Sequence, residues 1–139
     1  MLKKFRKMIT LLLCAAFAMN FSALAATPDI IQPQNNFQIR TGTASLTKSG
    51  TSLCVKFNIG TNASCSKIGV ESITLYDRTT GGHEKLAGAT ISGAVSHSGS
   101  ISLPGQKGHT YYALVQLVAQ PYGGSAAYKQ HIITDAVQL

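Results

Sequence analysis

Leu53, Val55, Phe57 and Ile59 alternate with Cys54, Lys56 and Asn58. A period of two sends successive side chains to opposite faces of an extended chain, so this stretch buries an apolar face as a strand and not as a helix. The pattern returns at Tyr111, Ala113, Val115, Leu117 and Ala119, set against Tyr112, Gln116 and Gln120. Between the two runs the parity changes, with Ile68 and Val70 on one side and Ile73 and Leu75 on the other. That predicts either a strand covered on both faces or a β-bulge near Glu71.

Punctuation between the runs is turn chemistry. Lys48-Ser49-Gly50, Asn58 to Asn62, Thr79-Thr80-Gly81-Gly82, Ser98-Gly99, Pro104 to Gly108 and Pro121 to Gly124 supply the Gly, Pro, Asn and Ser that reversals use. No sustained helical stripe follows residue 25. Short, regularly spaced strands of this kind predict an all-β fold, a single antiparallel β-sandwich of about seven strands over residues 37–139. Residues 26–36, with two prolines and little alternation, read as an extended lead-in.

The first 25 residues read as an export signal. Lys3, Lys4, Arg6 and Lys7 precede a mostly apolar run from Ile9 to Phe21, and Ala23-Leu24-Ala25 places small residues where a signal peptidase cuts, after Ala25. A membrane anchor is the competing reading, but the apolar run falls short of the roughly 20 residues a span needs. Lipidation at Cys14 is another, weakened by the bulky leucines before it. The leader holds four of the 12 Lys and Arg, so the remainder carries eight bases against five acids, a net +3. Those eight, from Arg40 to Lys129, lie singly along the chain, which gives a polyphosphate no cluster to release counterions against and predicts no nucleic-acid binding.

Two resemblances extend this reading. Leu103-Pro104-Gly105 followed by Tyr111 and small or aliphatic residues at alternate positions resembles a late strand of immunoglobulin-like and fibronectin type III sandwiches. The resemblance implies a tyrosine corner at Tyr111, its ring in the core and its hydroxyl bonded back to nearby backbone. The inter-sheet disulfide and the buried Trp of antibody domains are absent. The leader, the Gln-Pro lead-in, KIGVESITLYDRTTGGHEK from Lys67 and GHTYYALVQLVAQPYGGSAAYKQHIITDAVQL from Gly108 are together similar to short secreted proteins of Gram-positive, clostridial-type bacteria classed as a domain of unknown function. His83 departs from that pattern, standing where an aromatic residue often follows the Gly-Gly turn. This resemblance implies a small exported β domain and brings no catalytic residues.

Export permits oxidation, and Cys54 and Cys65 remain once the leader is removed. A turn at Asn58 to Thr61 would bring them together in a local disulfide worth roughly 3 kcal/mol; the alternative is two free thiols. His83, His97, His109 and His131 lack the spacing of a zinc site, so no metal and no cofactor is expected. Serine chemistry has no Gly-x-Ser-x-Gly elbow, leaving only a diffuse set such as His131, Asp135 and a serine. Paired carboxylates for glycoside cleavage would have to come from Asp29, Glu71, Asp77, Glu84 and Asp135; Asp77 and Glu84 flank the Gly-Gly turn and can face each other across a hairpin, where a turn cap and a solvated charge are the expected roles. Tyr112, Tyr122 and Tyr128 are the candidates for a binding surface on the last hairpin, against a reading with Tyr128 in the core and Tyr122 packed in its turn. The expected function is a secreted or envelope-associated, non-enzymatic domain that binds a protein or glycan at the cell surface. A small antibacterial factor and a hydrolase are the alternatives.

Overall fold

The computed structural model describes residues 36–124 and 126–139. The expected signal peptide and nearly all of the expected lead-in lie outside the described residues. Phe37–Leu139 forms one compact unit, built from β1 (Ile39–Ser49), β2 (Ser52–Asp77), β3 (His83–Ile91), β4 (Ala94–Leu103), β5 (Thr110–Pro121), β6 (Tyr128–Ile133) and β7 (Val137–Gln138). These seven strands make an antiparallel sheet, and the described residues contain no α-helix.

β2 organises the molecule. Its 26 residues far exceed an ordinary strand. Its first half lies between β1 and β4, and its second half between β3 and β5, with β6 beyond β5. β3 and β4 follow one another along the same side of β2, broken only at Ser92-Gly93, where Gly93 takes a left-handed φ of 76° and donates its amide to the Cys65 carbonyl at 2.8 Å. Register shifts between Gly60 and Cys65 against β4, and between Cys65 and Lys67 against β5, mark where β2 passes from one half to the other. Strands that switch sheets do so through such irregularities.

Alternation fills the core. Leu53, Val55, Phe57 and Ile59 from the first half of β2, Ile68, Val70, Ile73 and Leu75 from the second, and Tyr111, Ala113, Val115, Leu117 and Ala119 from β5 are all buried in one cluster. The far ends of the halves meet there too, since Leu53, Tyr111 and Leu139 converge on Gly105. β1 lies against β6, with the Gln130 side chain directly over Gly42.

Two expected turns are strand. Asn58 to Asn62 runs on inside β2, and Ser98-Gly99 sits in mid-β4. The first overturns the expected disulfide: Cys54 and Cys65 are free thiols, one half-buried and one buried, on the same strand. Eleven residues of strand at about 3.3 Å each far exceed the roughly 4.4–6.8 Å between the Cα atoms of a disulfide. Cys54 pairs instead with Thr47 and Ser102, and Cys65 with Ala94 and Pro121.

Candidate binding face

The parity change in β2 is a bulge. Val70 pairs with Leu117 and Ser72 with Gln116, leaving Glu71 as the extra residue against β5. On the other flank Gly88 permits the close approach, because a Cβ there would run into the Val70 carbonyl. The insertion restores Ile73 and Leu75 to the core and frees Glu71 from the ladder.

Glu71 enters a polar network on the outer face of the β3–β2–β5–β6 half. Its Oε2 accepts from Gln116 Nε2 at 2.8 Å and lies 3.1 Å from Lys129 Nζ, while Oε1 is 3.8 Å from Lys67 Nζ. Ser72 Oγ donates to the Gln116 amide oxygen at 3.4 Å. The hydrogen-bonded Lys129 ammonium holds the Glu71 carboxyl below the usual carboxylate range, against an opposing desolvation and with help from Lys67 and Lys85. An open trough of about 440 Å³ follows, lined by Glu71, Ser72, Lys85, Leu86, Ala87, Gln116 and Lys129. His131, opposite Gln116, and Ile133, 71% exposed and opposite Leu114, flank it on β6.

At the end of this face stands an aromatic ladder. Tyr76 and Tyr112, paired across β2 and β5, stack with centroids 4.8 Å apart and planes 5° from parallel, and His83 on β3 lies 5.6 Å from Tyr76. Arg78 places its guanidinium carbon 5.9 Å from the Tyr112 centroid. Since the stacked faces cover each other, the ladder turns ring edges to solvent. It ties three strands together rather than offering a flat sugar platform.

The three tyrosines expected to form one surface stand apart. Tyr112 is in the ladder. Tyr122, 59% exposed in the turn after β5, reaches back to Ser92 with its hydroxyl 3.3 Å from the serine Oγ. Tyr128 pairs with Ala119, whose side chain faces the core, so it lies on the inner side of β6, 4.9 Å from the Phe37 ring and 40% exposed. The strand alternation of β5 separates Tyr112 from Tyr128, and the turn carries Tyr122 toward the β3–β4 joint. Tyr111, by contrast, is 5% exposed, and its hydroxyl accepts the Gln106 amide at 2.7 Å. That is the geometry of a tyrosine corner.

Asp77 and Glu84 both line a second depression, of about 320 Å³, beside Tyr111. Asp77 Oδ1 accepts the amides of Thr79 and Thr80 at 2.9 and 3.3 Å, and Oδ2 lies 2.7 Å from His109 Nδ1. Burial raises the Asp77 pKa, but the His109 hydrogen bond and the threonine amides outweigh it and leave it lowered. The aspartate thereby caps the β2–β3 turn and pins it to the loop before β5. His131 stands on the outer face, whereas Asp135 lies past the end of β6, its carbonyl accepting from Thr134 Oγ1 at 3.1 Å.

A further surface lies on the other half. Thr41, Thr43, Ser45 and Thr47 on β1 and Ser96, Ser98, Ser100 and Ser102 on β4 flank Gly60, Asn58, Lys56 and Cys54 of β2 in four consecutive rows. In these four rows every position on both flanking strands bears a hydroxyl, and all but Thr47 are exposed. The sequence carries these rows as T-x-T-x-S-x-T and S-x-S-x-S-x-S, each at strand period, although the alternate residues are not uniformly apolar. No protein-family model matches the chain, and neither a curated protein nor a solved structure shows significant similarity to it.

Proposed function

We propose that the chain is an exported, non-enzymatic β-sandwich domain that binds a glycan at the cell surface through the trough around Glu71. The observation that carries this reading is the bulge, which spends a residue of the β2–β5 ladder to set a carboxylate beside an amide, a hydroxyl and two ammonium groups on an open face. Sugar hydroxyls donate and accept at once, and a preorganised mixture of carboxylate, amide and ammonium answers both demands. The trough is open and lined mostly by polar side chains, which suits a polymer crossing it.

The sandwich reading is supported by two apolar faces that share β2 and meet in one cluster. The corner bond of Tyr111 supports an immunoglobulin-like or fibronectin type III-like arrangement. Export rests on the leader, and kinship with the small secreted clostridial-type proteins rests on the sequence resemblance.

The test is co-sedimentation of the secreted protein with the producer's cell envelopes and with their protein-stripped wall glycan, in low and high salt. Salt-resistant pelleting with both is expected. Glu71→Gln and Gln116→Ala should each weaken it by about tenfold, the loss of one charge-assisted hydrogen bond. A protein that stays in the supernatant refutes the reading, and pelleting with envelopes but not with stripped glycan reassigns the trough to a protein partner.

A further inference from the structure

The β3–β4 flank runs the length of β2, and among the described residues neither strand pairs with any strand but β2. Its second edge carries main-chain donors and acceptors that no other strand takes up. Exposed edges invite further strands unless lysines, prolines, bulges or brevity blunt them. Of the other outlying strands, β7 has only two residues, and the rest have charge: Arg40 and Lys48 on β1, Lys129 on β6, Glu84 and Lys85 on β3. β4 has neither a charged residue nor a proline in its ten residues, and its ladder with β2 is regular from Leu53/Leu103 to Gly60/Ser96.

Its sequence also fits itself. Val95, His97, Gly99, Ile101 and Leu103 share the inner side of β4, and Ser96, Ser98, Ser100 and Ser102 the outer. Two identical strands paired antiparallel keep both faces in register when each outer residue meets an outer residue. We propose that two copies of the chain pair edge to edge through β4, antiparallel, about a two-fold axis at Gly99. Ser96 of each copy then meets Ser102 of the other, and Ser98 meets Ser100, within hydroxyl hydrogen-bonding reach. On the inner side Val95, 48% exposed in the single chain, meets Leu103, and His97 meets Ile101. The contact is isologous and closes after two copies. It extends the hydroxyl rows of β1, β2 and β4 into a continuous six-strand face.

Sedimentation velocity of the full secreted protein, up to roughly 1 mM, tests this. The expected result is a monomer–dimer equilibrium. Ser96→Lys with Ser102→Lys sets like charges opposite each other twice and should weaken the dimer by at least about tenfold, while Ser96→Lys with Ser102→Glu sets opposite charges there and should keep it. Amide hydrogen exchange of the unaltered protein needs no substitution: β4 amides should slow as concentration rises, and those of β1 should not. A wild-type protein that is monomeric throughout overturns the proposal. So do equal losses in the two double variants, or β4 exchange independent of concentration.

Discussion

Tyr111→Phe removes one oxygen and keeps the ring. The ring is buried and converges with Leu53 and Leu139 on Gly105, so packing is retained and the change isolates the 2.7 Å bond from the Gln106 amide. A hydrogen bond of this kind contributes a net 0.5–1.5 kcal/mol or so, and an orphaned buried donor costs about 1–3 kcal/mol. Gln106 is exposed, so its freed N–H takes up water and the loss stays near about 1 kcal/mol. In a domain of this size that lowers Tm by about 4–8 °C. The denaturant midpoint should fall with an unchanged m-value, since the surface exposed on unfolding is the same. Two controls bracket the result. Tyr111→Ala empties the site and should cost about 3–5 kcal/mol. Tyr112→Phe, on the opposite face and stacked on Tyr76 through its ring, should leave Tm unchanged. If Tyr111→Phe melts within about 1 °C of the wild type, less than the smallest expected bond would give, the loop is held by packing alone and the corner argument is refuted.

Thr134→Val should cost more, about 1–3 kcal/mol in a denaturant melt, because Thr134 Oγ1 accepts the Ala113 amide at 2.9 Å in a buried setting where water cannot replace it; a loss no larger than that of Tyr111→Phe would contradict the assignment. Gly88→Ala drives a Cβ into the Val70 carbonyl opposite the bulge and should destabilise by about 1–3 kcal/mol, and a neutral result would mean the bulge relaxes freely. Thiol labelling of the folded protein should modify half-buried Cys54 and spare buried Cys65 until denaturant is added, with intact mass unchanged by reductant; a mass gain of two hydrogens on reduction would restore the disulfide. On the acid side, Asp77 and Glu71 both have lowered folded pKa values, so their stabilisation is complete above the ordinary carboxylate range and is lost as pH falls through about 4 toward their folded values. Asp77→Asn should flatten that decline in urea melts between neutral and acid pH, and an unaltered slope would remove Asp77 from the account.

Strands were legible in the sequence where one face meets the core and the other meets water. The same rule explains the failures. Asn58 and Ser98 are polar like turn residues, yet they pair with each other at outward positions, Asn58 between the inward Phe57 and Ile59 and Ser98 between the inward His97 and Gly99, where polarity is what a strand requires. Gly99 faces inward and is small for a packing reason, since a Cβ there would sit 3.3 Å from the Phe57 ring. The disulfide followed from the false turn. The bulge, in contrast, could be read from the parity of Ile68, Val70, Ile73 and Leu75. What it positions could not, because Gln116 is 45 residues from Glu71 and Lys129 farther still, and only the β5 and β6 registers bring them together. Tyr112, Tyr122 and Tyr128 are near one another in the chain, but nearness is a poor guide where neighbouring strand residues point to opposite faces.

The long β2 strand decides how the two surfaces relate. Its passage between halves is tied on several sides: Thr61 Oγ1 donates to the Val95 carbonyl at 3.0 Å, the Gly93 amide donates to the Cys65 carbonyl at 2.8 Å, and Tyr122 meets Ser92 from the turn after β5. The hydroxyl rows and the trough therefore sit at fixed places along one strand, on either side of that passage. The proposed pairing uses the β4 edge beside the first half and leaves the trough beside the second half uncovered. Two copies then carry two open troughs at a set separation. An open, polar site binds one glycan segment weakly, but two sites on one rigid pair raise the effective concentration for the second contact wherever the polymer spans both. Pairing at β4 and recognition at Glu71 are accordingly separable in structure and coupled in avidity. The Ser96→Lys, Ser102→Lys variant should lower pelleting with polymeric glycan while leaving affinity for a short oligosaccharide unchanged; equal effects on both would mean that β4 and the trough are not independent.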